Sequence, residues 1–217
     1  IFTALAKSEA PTLAYASMLA ATYDAHLDVM CLGVDNSPGN FFEAGANAVI
    51  LQNAIERARK EAGALEEECR ETLRKSDLRW TTSRAVAAAS DISTPVARVS
   101  RFSDLAIAPL PYGEERWMQD VLLVEAMMLH AGSPTLCLPP DAKVAPPQTI
   151  VIAWNESREA LRAVREALPL LSDAKAVHIT VIDPPSHGPD RSDPGGALAV
   201  MLSRHGIHPS IEVMPKT

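Results

Sequence analysis

An α/β fold of parallel sheet and covering helices, built twice in one chain, is what this sequence predicts, and three observations carry the prediction. Short apolar runs alternate with helical apolar periodicity along nearly the whole chain. The opening I-F-T-A-L-A-K-S at residues 1–8 returns as I-V-I-A-W-N-E-S at 150–157. Between the copies lies P-P-D-A-K-V-A-P-P (139–147), which can continue neither a central strand nor a helix and reads as a stiff connection.

Taken in order, the first apolar run is a strand. It ends at Ser8, which is placed to cap a helix whose first turn tolerates Pro11. V-M-C-L-G-V-D (29–35) is a second strand. A long helix over roughly 45–75 sets Ile55, Ala58, Ala62, Leu65 and Cys69 on one face, with Glu, Arg and Lys crowding the other. A third strand covers 79–86 and a short helix 94–101. D-L-A-I-A-P (104–109) is apolar in the manner of a strand buried on both faces. A helix from about Glu114 to Ala131 carries Trp117, Val121, Val124 and Met128 on one side, and T-L-C-L-P (135–139) is the fifth strand.

The second copy repeats the beginning of this plan. Ser157 is its N-cap, and Leu161, Val164, Leu168 and Leu171 form one stripe. From Leu13 and Leu161 onward the copies run at an offset of 148, so the strand V-H-I-T-V-I-D (177–183) falls on 29–35 and Asp183 on Asp35. A helix at 197–205 and a strand at 211–214 follow. The boundaries are 1–142 for the first domain, 143–147 for the linker and 148–217 for the N-terminal half of the second. By the repeat, roughly 70 further residues with two strands complete a domain of ordinary size. The absence of Met at residue 1 is read as a truncated start.

With 217 residues, 47% hydrophobic and 22% charged, the composition is that of a globular protein. A net charge of -7 and a pI near 5.4 argue against nucleic acid or an acidic membrane surface as the partner. No apolar run approaches a membrane span, and no secretory leader pattern opens the chain. Cys31, Cys69 and Cys137 are far apart and odd in number, as free thiols of a reducing, cytoplasmic compartment are.

Candidate chemistry is sparse. Asp35 and Asp183, at strand ends, are positioned as general bases, but a strand-to-loop Asp more simply makes an Asx turn. His205 and His208 are three apart, yet Gly206 and Pro209 break the helix there and no third ligand is near, so a helix C-terminus is the plainer account. His130 and His178 read as structural. D-R-S-D-P-G-G (190–196) lacks calcium-loop spacing and reads as a surface loop. No nucleophile elbow, zinc-protease motif, paired Cys-x-x-Cys or P-loop is present, so no catalytic residue and no metal ligand is assigned.

The residues T-I-V-I-A-W-N-E-S-R-E-A-L-R-A-V-R-E-A-L-P-L-L (149–171), followed by V-I-D, resemble a universal stress protein domain. W-x-x-x-x-x-V (80–86), F-S-D-L-A-I-A (102–108) and A-G-S-P-T-L-C-L-P (131–139) resemble the same family in the first copy, so the chain is similar to its tandem form with the second domain incomplete. The resemblance implies a Rossmann-like fold of the adenine nucleotide alpha hydrolase type, with an open parallel five-stranded sheet per domain and pairing as a homodimer or within one chain. Some members bind ATP, using an acidic residue after the first strand and a loop G-x-x-G-x9-G-[ST] after the fourth. The first copy has Ala6 at the acidic position, and its loop holds one glycine, Gly113, then Glu114 and Glu115 at the helix start. Those carboxylates repel a polyanion, so this copy is expected to be a degenerate site. In the second copy the acidic position is Asn155. With Ala153 and with Val181 near the end of the second strand, it makes the nucleotide site the resemblance implies, for ATP or another adenine nucleotide. A non-catalytic stress-response module is the implied function, a ligand-free scaffold or a weak ATP hydrolase the alternatives.

Overall fold

The structure, a computed structural model, describes residues 1–37, 46–114, 116–183 and 193–215. It consists of two units, Ile1–Val144 and Ala145–Thr217, which divide inside the proline-rich stretch. Glu115 and residues 184–192, with the first three of the D-R-S-D-P-G-G loop, lie outside the described residues.

The first unit contains β1 (Phe2–Leu5), α1 (Ala10–Thr22), β2 (Leu27–Asp35), α2 (Ala46–Leu73), β3 (Trp80–Ala88), α3 (Ser93–Ser100), β4 (Ala106–Pro109), α4 (Met118–Glu125) and β5 (Thr135–Leu138). Its five strands are all parallel, in the order β3-β2-β1-β4-β5. The strands are apolar on both sides, so both faces need cover. Phe2, Ala4, Met30, Leu32, Ala106 and Ala108 pack on one face with Ile92, Val96, Leu123 and Met127 from the segments of α3 and α4. Leu5, Val29 and Cys31 are buried, as are Leu13, Ala16 and Leu19 of α1 and Ala58, Ala62, Leu65, Cys69 and Leu73 of α2. Helix α2 lies so close to β2 that a Cβ on Gly33 would stand 1.9 Å from the Ala58 carbonyl oxygen.

Two helix starts differ from the sequence reading. Helix α1 is preceded by Glu9 rather than Ser8, and no side chain caps it. Ser8 instead donates its hydroxyl proton to Glu68 of α2. The extra residue between Ser8 and the leucine stripe, relative to the second copy, carries the serine off the helix start. Helix α4 begins at Met118, not near Glu114. Trp117 is extended, and the Asp120 carboxylate reaches back to accept its N–H at 2.8 Å, which fixes the start there. Past Glu125 the helix widens into a π turn over Ala126–His130.

The second unit contains β6 (Thr149–Ala153), α5 (Arg158–Glu166), α6 (Leu168–Asp173), β7 (Ala176–Ile182), α7 (Gly196–Arg204) and β8 (Ser210–Met214). Its sheet has three parallel strands in the order β6-β7-β8, the same succession as β1-β2-β3. Among the described residues this sheet stops at three strands, short of the five expected per domain. The leucine stripe read as one helix is broken at Ala167, because Pro169 lacks an N–H and disfavours a helical residue before it. Ser157 does cap α5, accepting the Ala160 N–H at 3.0 Å. Ile152, Val177, Ile179 and Val181 meet Val164, Leu171, Leu198 and Leu202 in one core, so the covering helices lie on one face. On the other, Val151 and Ile182 are 62% and 64% exposed. Among the described residues no helix is long and apolar enough to cross a membrane.

Candidate functional site

In an open parallel sheet, ligands bind where neighbouring crossovers leave the carboxyl edge in opposite directions. For the order β3-β2-β1-β4-β5 that point is between β1 and β4. A crevice of about 260 Å³ opens there, lined by Ala6, Lys7, Asn36, Trp117, Gln119 and Asp120. Two of its lining residues, Lys7 and Asp120, belong to a charged cluster beside it. Arg116 forms an ion pair with Glu9 and stands 3.8 Å from Asp120 Oδ1, and the Arg116 and Asp120 side chains are only 9% and 7% exposed. Lys7 Nζ lies 3.8 Å from the same Glu9. Gln119 donates to Asn36 Oδ1 across the mouth at 2.8 Å.

The cluster therefore holds its own charges in balance, two cations against two carboxylates. The start of α4, which would present free N–H groups to a phosphate, is served by the Asp120 carboxylate. Ala6 is part of the lining and contributes no charge. Gly113 has φ +123° with open space around its α-carbon. Sequence reading found Ala6 and the glycine-poor loop but missed Glu9, Arg116 and Asp120. The spacing of Arg116 and Asp120, i and i+4, was a visible signal; the pairing with Glu9 across 107 residues was not.

In the second unit, two of the three residues expected at a nucleotide site, Ala153 and Val181, lie on the adjacent strands β6 and β7. Ala153 ends β6 and pairs with Thr180, next to Val181. Asn155 follows in the loop; its Oδ1 accepts the Ser157 N–H at 3.1 Å, an Asx turn that leads into α5, and its carboxamide nitrogen is left to donate elsewhere. Val181 has its side chain in the core. The Trp154 N–H donates to Thr180 O and the Asp183 N–H to Met214 O, both 2.9 Å. Alternation along β7 thus turns the Val181 backbone groups to β8 and those of Thr180 and Ile182 toward β6.

The other singled-out residues have local partners. Asp35 Oδ1 accepts the Ser37 N–H at 2.9 Å, an Asx turn. Asp183 adopts φ +50°, and Glu156 φ +62°. His178 Nδ1 lies 2.7 Å from Ser210 Oγ, and Glu212 is 3.6 Å away. His205 and His208 flank a helix end closed by Gly206 at φ +77°, with the Ile207 N–H donating to Leu202 O and the Gly206 N–H to Ser203 O. His130 is exposed at the end of the π turn. Among the described residues no three His, Cys, Asp or Glu side chains are grouped to hold a metal ion. Cys31 of β2 and Cys69 of α2 are buried free thiols 4.0 Å apart; their hydrogen bond and their burial push the Cys31 thiol far above its ordinary range. Burial also raises Cys137.

No family model and no curated protein matches the sequence. Solved structures do. A universal stress protein from Archaeoglobus fulgidus DSM 4304 matches over 100% of this chain and 77% of its own, with a TM-score of 0.69 at 12% identity. A putative universal stress protein from Pseudomonas aeruginosa UCBPP-PA14 matches over 99% of this chain and 73% of its own, with a TM-score of 0.55 at 16% identity. At such identities the likeness establishes architecture, and the architecture of this chain is the one found in those universal stress proteins.

Proposed function

We propose that this chain is a tandem universal-stress-type module that binds and regulates rather than catalyses, working in the cytoplasm as an intramolecular domain pair or a homodimer. The observation that supports the reading is the crevice between β1 and β4, where sheets of this order bind ligands: its lining residues Lys7 and Asp120 are already engaged with Glu9 and Arg116 beside it, so the chain supplies its own counter-charges. The first unit is then the structural partner. The second keeps the capacity for an adenine nucleotide or related small ligand at the end of β6, where the exposed Asn155 carboxamide can donate to a base or a ribose. On the β6 side of β7 the Thr180 carbonyl is taken by the Trp154 N–H, so Ile182 offers the backbone groups there.

The test uses the full-length protein purified without added nucleotide. It is denatured, and the released small molecules are identified by mass spectrometry. Stoichiometric ATP or ADP, together with a thermal shift by ATP that shrinks in Asn155→Ala, is the expected result. An empty protein that ignores ATP in the same titration would overturn the sensor reading and leave the scaffold. Steady ATP turnover lost on changing Asn155 or Asp183 would instead make it a hydrolase of the same fold.

A further inference from the structure

The outer edge of the first sheet is β3, which pairs with β2 alone. It is nine residues long, contains no proline, and Arg84 is its single charge. Edges of this length are ordinarily blunted by charge, proline or a covering segment, because their free N–H and C=O groups template another strand. Among the described residues no strand pairs with this edge.

Beside it, between β3 and the outer flank of α2, runs an open groove of about 880 Å³ with Arg57, Arg59, Lys60 and Arg84 along its walls, one carboxylate, Glu56, which accepts from Gln52, and Gly63 among its lining. Arg84 is engaged: its Nε lies 2.8 Å from Oε2 of the largely buried Glu66, which also accepts from Thr82 and Arg70. Arg57, Arg59 and Lys60 are exposed and have neither ion pair nor hydrogen bond among the described residues. Three unpaired cations within four positions run against the sign of a chain whose net charge is -7.

We propose that this groove and edge together dock an extended acidic segment of a partner protein, added as a further strand to β3. The two features ask for different parts of one ligand. The edge offers main-chain hydrogen bonds, which any extended peptide can take up. Thr82 and Arg84 reach Glu66 of α2, so their side of the strand faces the groove. A strand added in register sends every second side chain to that side, and the cations there select Asp or Glu at alternate positions. The lining runs from Asn53 to Gly63. That is about 15 Å of helix, the length of roughly five extended residues, so two or three acidic side chains are read. This inference does not depend on nucleotide binding in the second unit.

The test is fluorescence anisotropy of a labelled Val-Glu-Val-Glu-Val-Glu-Val peptide with the full chain. Binding weakened by salt is expected, with a roughly tenfold or greater loss in the Arg59→Glu/Lys60→Glu variant, whose unchanged melting temperature shows that the fold is intact. The same peptide with Lys for Glu should not bind. N-methylation of one alternate set of peptide amides should abolish binding, and methylation of the other set should spare it. Equal binding of both methylated peptides would overturn strand addition. Tighter binding of a charge-matched single-stranded oligonucleotide, or a concentration-dependent dimer that the peptide fails to compete, would overturn the choice of partner. Failure of the peptide to bind would overturn the proposal outright.

Discussion

Replacing Gly33 by alanine puts the contact between β2 and α2 to a direct test. The added Cβ would lie 1.9 Å from the Ala58 oxygen, 2.5 Å from its carbonyl carbon and 3.1 Å from its Cα. A non-bonded carbon needs roughly 3.5 Å, so one side must retreat by about 1.5 Å. The obstacle is main chain, and shortening Ala58 to glycine would leave it in place. Helix α2 spans 28 residues, so it must move as a body, lifting Ala62, Leu65, Cys69 and Leu73 off the sheet as well. Overpacking of this kind costs about 3 kcal/mol, the upper end of the usual range. For a unit of this size that lowers the melting temperature by roughly 6–12 °C.

The internal control is Gly63→Ala in the same helix. There a Cβ meets only the end of the Arg84 side chain, at 3.4 Å. Alanine should stabilise mid-helix by about 0.5–1 kcal/mol. Urea and thermal melts of both variants make the comparison. If Gly33→Ala melts with the parent protein, or if both variants fall together, the close approach of helix to sheet is not what fixes glycine at position 33.

Two further predictions concern charge. Arg116→Met leaves Glu9 and Asp120, at 13% and 7% side-chain exposure, facing each other without their cation. A loss of about 3 kcal/mol is expected in urea melts, and the triple variant with Glu9→Gln and Asp120→Asn should recover most of it; no recovery would show that Arg116 acts through packing alone. The buried thiols give a pH signature. The Cys31–Cys69 hydrogen bond raises Cys31 and lowers Cys69, so that pair opposes itself, while burial raises Cys137 and Tyr15. Groups raised in the folded state stay protonated there while the unfolded chain ionises. Stability should be complete below the ordinary thiol value of 9.0 and fall above it. The slope is about 1.4 kcal/mol per pH unit for each group, with Tyr15 joining above its ordinary 10.0. Urea midpoints measured across that range check the sign, and a shallower fall is expected in Cys137→Ala.

Local pattern made most of the first unit legible. Period and apolar runs located its five strands, and the stripe from Ile55 to Cys69 found the buried side of α2. Errors came where a side chain chose between partners. Ser8 was taken for a cap because its counterpart Ser157 is one, but a single inserted residue moved it within reach of Glu68. The start of α4 looked acidic at Glu114, whereas the capping carboxylate is Asp120, inside the first turn. The apolar stripe of the second copy hid Pro169, because period counts side chains and not missing N–H groups. At the crevice, the absence of an acid at Ala6 could be read from sequence. That Glu9 and Arg116 meet beside it could not, since 107 residues of chain separate them.

The Glu9–Arg116–Asp120 cluster has a thermodynamic consequence. A pocket that needs a soluble anion to offset its charge is stabilised in proportion to how much of that anion the cell contains, by about 2.7 kcal/mol when the concentration is a hundredfold above Kd. A pocket whose anion is tethered to the chain has an effective concentration fixed by covalent geometry. The folding equilibrium of the first unit is thereby uncoupled from metabolite supply. It would hold the same shape in a starved cell as in a fed one.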